Sequence, residues 1–455
     1  MNHPNYFLAD LPPEAELTPR LITDAVRTLQ RNRARFLLPR PTEEIIRVLC
    51  DVAADWQRPG NIFREQALAD GPAQTGFSRP VLERGLDNFF APFTPENFTA
   101  LLEQELGHPG RLDDFTAATA PPGAGHSRPA LALGPALLTH IAAGNLPNPA
   151  LMSLTLGLLL RSAQFMKCAS GAAFLPRLFA HSIYAHDRKL GACLEVAEWT
   201  GGRHALEDAL YAETGVLTAT GSDETLAAIR RRLPDRVRFV GYGRRLSFGL
   251  VTREVLQEDA VGAVLAAAAD DIVAWDQQGC LSPHVLYVEE RGKVDADVFA
   301  SRLATELAAR EAVHPRGGIS ANEAAAIASR RALYETLQPH RGDVKLWQSP
   351  ASTAWTVVYE HDHRFQISCL NRFVYVKPVP DLETLLQGID DVRAQLSTVG
   401  LAATPGRAKE IALRLAREGV LRICPLGRMQ IPPLSWRHDG RPPLGDLVTW
   451  VDWES

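Results

Sequence analysis

From Leu131 onward the chain alternates short apolar runs with stretches of helical spacing. The run LALGPALLTHIAAG leads into the loop NLPNP, a helix-like stretch from Ala150, the run QFMKCAS, and a helix-like stretch around Leu178 to Ala185. Short strands separated by amphipathic helices predict βαβ units around a parallel sheet, so the expected fold class is α/β. VLTATGSDETLAAIRRRL adds a strand, a turn and a helix in one line. VRFVGYGRRLSFGLV reads as two strands around Gly241-Tyr242-Gly243, which lacks the third glycine of GxGxxG and is expected to be a hairpin turn. A second α/β unit is expected from the alanine-rich helix Glu258 to Trp275, the turn DQQGC and the strand HVLYVEE. It continues through Trp355 to Tyr359, FVYVKPV and a helix from Ala408 to Glu418. The architecture is of a nucleotide-binding type, although fold alone names no ligand.

Four segments follow: a mainly helical region at 1–130, α/β regions at 131–255 and 256–425, and a proline-rich C-terminal arm at 426–455. Helical spacing from Thr42 to Ala54, after Pro41, typifies the first, and TAATAPPGAGHSRPA (116–130) reads as a loop or linker at its end. The 455 residues are ample for domains of this size. With 48 Lys and Arg against 53 Asp and Glu, the chain has no global basic field to attract nucleic acid or an anionic membrane surface. The most apolar region, Leu131 to Met166, keeps only Ala150 to Leu160 free of breakers, short of the roughly 20 residues of a membrane-spanning helix. The first residues hold Asp10, Glu14 and Glu16 and lack a secretion signal's basic start and apolar stretch, so a cytoplasmic location is expected.

The cysteines are spread along the chain without a CxxC pair, which argues against a disulfide scaffold or structural zinc. Cys280 stands in a turn between a helix and a strand, directly after Gly279, where the missing side chain gives a substrate room to reach the sulfur. A local dipole is required to favour the thiolate, the form that attacks carbonyls. A lone cysteine also reads as a small buried hydrophobe. Asn145, on the proline-stiffened loop AAGNLPNP, is able to donate to an oxyanion or simply to form an Asx-turn. Lys167 falls at a strand end, where open α/β sheets bind ligands, with a solvated lysine as the alternative. Gly221 and Ser222 close a strand and open a helix, a place suited to abut a nucleotide. Ser222 is equally a good N-cap, and Asp223 and Glu224 argue against a phosphate on that helix. His361-Asp362-His363 lacks a third ligand at suggestive spacing, so no metal is expected.

Taken together, HIAAGNLPNP, QFMKCASG, VLTATGS, WDQQGCLSPHVLYVE and LGRMQIPPLSWRHDG resemble the long-chain fatty acyl-CoA reductase family, the luminescence-type fatty-acid reductases of the aldehyde dehydrogenase superfamily. The resemblance runs in order from Leu131 to Glu454. It implies an aldehyde-dehydrogenase-like fold with a Rossmann-type cofactor domain at 131–255, a catalytic domain at 256–425 and a C-terminal oligomerisation arm, hence a homo-oligomer. It implies NADPH-dependent reduction of acyl-CoA to aldehyde through an S-acyl intermediate on Cys280, with Asn145 and the Cys280 backbone N–H holding the oxyanion. Lys167, Ser170, Gly221 and Ser222 correspond to positions around the adenosine half of the cofactor. An acyltransferase or acyl-protein ligase is the partner the family implies.

This sequence also departs from the superfamily. Where an ELGG-like motif carries a general-base glutamate, GYGRRLSFG has no carboxylate, so a cysteine thioester would persist and exchange with a thiol instead of being hydrolysed. SCLNRFVYV replaces the EEIFGP-like motif with its ribose-binding glutamate, and Leu226 stands where a later glycine would follow the Gly-Ser turn. Ser170 stands three residues after Lys167 in place of an acid. A carboxylate there would bind a free ribose 2′-hydroxyl and repel a 2′-phosphate, so its absence leans towards NADPH, with NADH retained. An NADP-dependent aldehyde dehydrogenase, a cysteine acyltransferase without redox chemistry and a non-catalytic scaffold of this fold remain as alternatives.

Overall fold

The computed structural model describes residues 4–12, 14–119 and 128–454, so residues 120–127 of the expected linker lie outside the described residues. The chain divides into two compact units, one of Met1–Thr75, Leu86–Gly243 and Pro433–Ser455, the other of Gly76–Gly85 and Arg244–Pro432.

In the first unit, β1 (Ala130–Leu133) is followed by β2 (Leu137–Ile141), β3 (Ala163–Cys168), β4 (Leu194–Glu198), β5 (Val216–Thr220) and β6 (Arg238–Tyr242). Strands β2 to β6 form a parallel sheet in the order β4-β3-β2-β5-β6. The strand order reverses at β2, and the carboxyl ends of strands at such a switch point are where doubly wound sheets bind ligands. The helix Asn148–Leu159 packs closely on β3, since a Cβ at Gly157 would stand 2.2 Å from the Gln164 side-chain amide. Thr18 caps the helix Pro19–Asn32, which buries Ile22, Val26 and Leu29 as one stripe in the same core as Leu137, Phe165 and Leu217. The helix Pro19–Asn32 therefore completes the sheet's own unit, and of the mainly helical segment expected at 1–130 only Gly76–Gly85 falls in the other unit.

The second unit contains β7 (Leu246–Val251), β8 (Pro283–Glu289), β9 (Val344–Gln348), β10 (Thr356–Glu360), β11 (Phe373–Val379), β12 (Leu396–Ala402) and β13 (Arg422–Pro425). They form one sheet in the order β13-β12-β7-β8-β11-β10-β9, parallel except for β9. The period of two along β11 divides the core. Val374 and Val376 share one cluster with the helices Val261–Val273 and Ala296–Val313, while Phe373 and Tyr375 share another with Ala321–Leu337 and Pro405–Arg417.

The hairpin expected at Gly241-Tyr242-Gly243 does not form. Strand β6 pairs in parallel with β5, whereas β7 lies between β12 and β8, so consecutive strands enter different sheets and the unit boundary falls there. Leu426 and Met429 are buried in the second unit's core, so the start of the expected C-terminal arm belongs to that unit. Further on, β14 (Thr449–Asp452) pairs antiparallel with β1 as a two-stranded ribbon, and Leu133, Trp450, Val451 and Trp453 are exposed on it and beside it. Among the described residues no helix is long and apolar enough to cross a membrane, and no group of three or more His, Cys, Asp or Glu is arranged to hold a metal ion.

Candidate active site

In the second unit, Cys280 lies between the helix Val261–Val273 and β8. The helix ends short of Trp275, and Trp275, Asp276 and Gln277 take left-handed backbone angles, φ 51°, 49° and 64°. Side chains disfavour that region by about 1–2 kcal/mol per residue, so the turn has to be held by its surroundings. Arg372 supplies much of the hold. Its guanidinium donates to Asp276 Oδ1 from Nε (2.9 Å) and Nη2 (2.6 Å), and from Nη1 to Glu311 Oε2 (2.7 Å) and the His314 carbonyl (2.8 Å). Gln277 Nε2 donates to the carbonyls of Pro283 and Phe373, and Gln278 Nε2 donates to Asn371 Oδ1 at 2.7 Å. The opposing segment, Leu370-Asn371-Arg372, is itself left-handed at φ 58°, 53° and 64°. SCLNRFVYV thus braces the cysteine turn, a role its sequence does not reveal.

Cys280 is half-buried. Ser247 on β7 donates its hydroxyl to the Cys280 carbonyl at 2.7 Å, and the Ser282 N–H donates to the Gly279 carbonyl at 3.0 Å. Gln430, from the LGRMQIPP stretch, donates to the Ser282 hydroxyl. That stretch is fixed in turn by Asp271, whose carboxyl accepts from the Gly427 N–H (2.5 Å) and the Met429 N–H (2.9 Å). The dipole required for a thiolate does not come from a helix start in sequence, because Cys280 follows a short 3-10 segment and precedes a strand. The remaining cysteines are poor competitors. Burial pushes the thiols of Cys50 and Cys424 up to about 11 and those of Cys168 and Cys193 up to about 12, and it raises Cys369 as well. At neutral pH these groups stay protonated and weakly nucleophilic.

In the first unit the remaining predicted residues gather at the carboxyl edge of the sheet, around the switch point. Asn145 is exposed in the loop after β2, Lys167 is near the end of β3 with Ser170 just beyond it, and Gly221 and Ser222 follow β5. Lys167 is buried, with Nζ 5.8 Å from the centre of the Trp199 ring; burial lowers its pKa against the opposing pull of Glu207, Cys168 and Glu198. Ser222 caps the helix Asp223–Arg232, its hydroxyl accepting from the Thr225 N–H at 3.3 Å, with Asp223 and Glu224 exposed in the first turn. A Cβ at Gly221 would meet nothing closer than Thr225, at 3.4 Å.

Glu198, at the end of β4, is the residue sequence reasoning missed. Its carboxylate accepts from the N–H groups of Gly171 (2.8 Å) and Ala173 (3.3 Å), and the Ser170 hydroxyl lies 2.9 Å from that of Thr200. This edge therefore presents an ammonium, several hydroxyls and a carboxylate, the donor set that suits the phosphate and ribose hydroxyls of a dinucleotide. The buried Trp199 indole N–H has no hydrogen-bond partner among the described residues.

Solved structures place the fold in a class. A benzaldehyde dehydrogenase from Corynebacterium glutamicum is similar with a TM-score of 0.66 at 13% identity, covering 97% of this chain and 91% of that one. The Delta-pyrroline-5-carboxylate dehydrogenase of Mycobacterium tuberculosis gives 0.67 at 15% identity, covering 96% and 83%. A Bradyrhizobium japonicum proline utilization A variant gives 0.69 at 18% identity, covering 96% of this chain and 45% of its own. The protein thus has the aldehyde dehydrogenase fold, an α/β architecture with a Rossmann-type sheet in one unit and a second α/β sheet in the other. Within that class, the family model described as acyl-CoA reductase (LuxC) matches residues 37–450, and the chain belongs to this family. Long-chain acyl-protein thioester reductases are similar in sequence, that of Aliivibrio fischeri at 25% identity over 321 residues and a second from Photobacterium leiognathi at 24% over 324. Each match takes in 69% of this chain and 63% of the relative's length.

Proposed function

We propose that the protein reduces a fatty acyl thioester to the aldehyde, using a nicotinamide cofactor and an S-acyl intermediate on Cys280. The braced, half-buried Cys280 turn is the observation that carries this reading. The Cys280 thiolate attacks the thioester carbonyl, forming a carbon–sulfur bond, while the side-chain amide of Asn145 and the Cys280 N–H stabilise the oxyanion. The bond to the carrier sulfur breaks, and the carrier leaves as its thiol. Bound reduced nicotinamide supplies the hydride that acyl reduction requires. The tetrahedral adduct on Cys280 then collapses, expelling the sulfur and releasing the aldehyde.

GYGRRLSFG offers no carboxylate to activate water, which favours reduction over release of free acid. Acyl-CoA is the substrate the family description suggests, and the relatives' names extend the class to acyl-protein thioesters. NADPH is the cofactor the resemblance carries, with NADH its competitor. An acyltransferase or acyl-protein ligase would deliver the acyl group, and the exposed apolar ribbon of β1 and β14 suits burial against another copy of the chain. The test mixes the purified protein with acyl-CoAs of graded length and follows NADPH and NADH absorbance while trapping aldehyde. Aldehyde formed in step with cofactor oxidation supports the proposal. Acyl labelling that neither cofactor discharges would show a transferase, and free acid as the product would show a dehydrogenase.

A further inference from the structure

We propose that Gly85 is a positioning residue for the reaction: the bare stretch of helix it leaves lets the Trp275 indole seat against the backbone, and that seat sets the turn ahead of Cys280. The inference rests on the reading of Cys280 as the acyl-bearing nucleophile. Gly85 is buried in the helix Arg79–Phe90, one turn after the buried Val81, on the stripe where an apolar side chain ordinarily fills the interior. A Cβ there would stand 2.2, 2.5 and 2.6 Å from Cζ2, Cη2 and Cε2 of Trp275, all three in the six-membered ring of the indole. Carbon atoms in contact lie about 3.5–4.0 Å apart, so alanine would push a rigid ring aside by about 1 Å or more.

The helix itself gives no reason for glycine. Gly85 has no left-handed backbone angle, and glycine inside a helix is less favourable than alanine. The close approach of Trp275 is its physical reason. The ring has no easy retreat: Trp275 is 3% exposed, Phe77 meets it edge-on at 5.2 Å, and its own backbone already sits at φ 51°. The segment 76–85 is tied to the same neighbourhood at two further points. Arg84 Nη2 lies 2.9 Å from Asp270 Oδ1, in the last turn of the helix Val261–Val273. The Gly318 N–H donates to the Gly76 carbonyl at 2.7 Å, next to Gly317, whose N–H donates to Asp276 Oδ2 at 3.0 Å. With the helix held in this way, a displaced Trp275 shifts the 275–277 turn, and Cys280 follows in the chain directly after Gln278 and Gly279.

A double-mutant cycle on the full chain tests this, read by kcat and KM for acyl-CoA reduction and by iodoacetamide labelling of Cys280 with peptide mapping. Gly85→Ala is expected to lower kcat by about tenfold or more with KM for acyl-CoA within about twofold, since misplacing a reacting group by about 1 Å can cost about 100-fold. It should shift the labelling rate of Cys280 by about threefold or more, while Cys168 and Cys193, buried in the other unit, stay unlabelled. Trp275→Phe removes the ring that carries all three clashing atoms, so adding Gly85→Ala in that background should change either rate by less than about twofold. Equal losses in both backgrounds, or a Gly85→Ala protein with wild-type kcat and labelling, overturn the inference. Should Gly85→Ala alone fail to fold, a double variant that folds and is labelled supports the inference, and one that also fails overturns it. If the wild type makes no aldehyde from any acyl-CoA, the reductase reading falls, and the labelling cycle still decides whether Gly85 positions the turn.

Discussion

Replacing Arg372 with methionine removes the guanidinium that joins the two left-handed segments and keeps an apolar side chain of similar length in its place. The Arg372 side chain is 1% exposed and that of Asp276 is 5% exposed, so the substitution leaves a buried carboxylate with the Gly317 N–H, at 3.0 Å, and the electrostatic pull of the half-buried Arg316 guanidinium. Breaking one side of a buried pair costs about 3–5 kcal/mol. For a unit of roughly 200 residues each kcal/mol moves Tm by about 2–4 °C, so the second unit's transition should fall by about 6–20 °C. Calorimetry of the full chain reads this shift. The double variant Asp276→Leu with Arg372→Met, which no longer strands a charge, should recover most of the loss. Alkylation kinetics at Cys280 supply a functional readout, because the same pair holds the 275–277 turn ahead of the cysteine. A melting temperature for Arg372→Met within about 2 °C of wild type would show that the pair does not hold the turn, since that corresponds to less than about 1 kcal/mol.

Other outcomes follow from single groups. Asn145→Ala should lower the reduction rate by about 100-fold or more, as removal of an oxyanion donor does, while leaving nucleotide affinity nearly unchanged; an unaltered rate would remove Asn145 from that role. Burial pushes the Asp271 carboxyl up to about 7 against the lowering effect of the Gly427 and Met429 N–H groups. The folded chain therefore holds an extra proton between about pH 4 and pH 7, and this contribution to stability is full at the acid end and lost as pH rises through about 7. Asp271→Asn should flatten the decline in the second unit's Tm between pH 5 and pH 8, and identical pH slopes for the two proteins would contradict the assignment.

Much of this architecture is legible in the sequence because it is written in local periodicity. FVYVKPV is strand β11 from end to end because all its residues are buried, so an apolar run there has no other use. QFMKCAS similarly contains the fully buried end of β3. The sequence fails where partners are remote. Nothing local distinguishes a hairpin at Gly241-Tyr242-Gly243 from two strands bound for different sheets, because pairing is decided by β5, β8 and β12. Leu370, Asn371 and Arg372 carry none of the glycines that usually mark left-handed backbone, and their conformation is held by Asp276, Gln278 and Glu311 from distant parts of the chain. Glu198 escaped for the same reason. Its chemistry belongs to the β3 loop, but its position in the sequence belongs to β4.

The most direct measurement is peptide mass mapping after incubation with acyl thioesters, before and after addition of reduced nicotinamide cofactor. An acyl group on the peptide containing Cys280, absent from Cys280→Ala and discharged as aldehyde when cofactor is added, is the predicted result. An acyl group found only on another residue, or aldehyde formation that persists in Cys280→Ala, would contradict it.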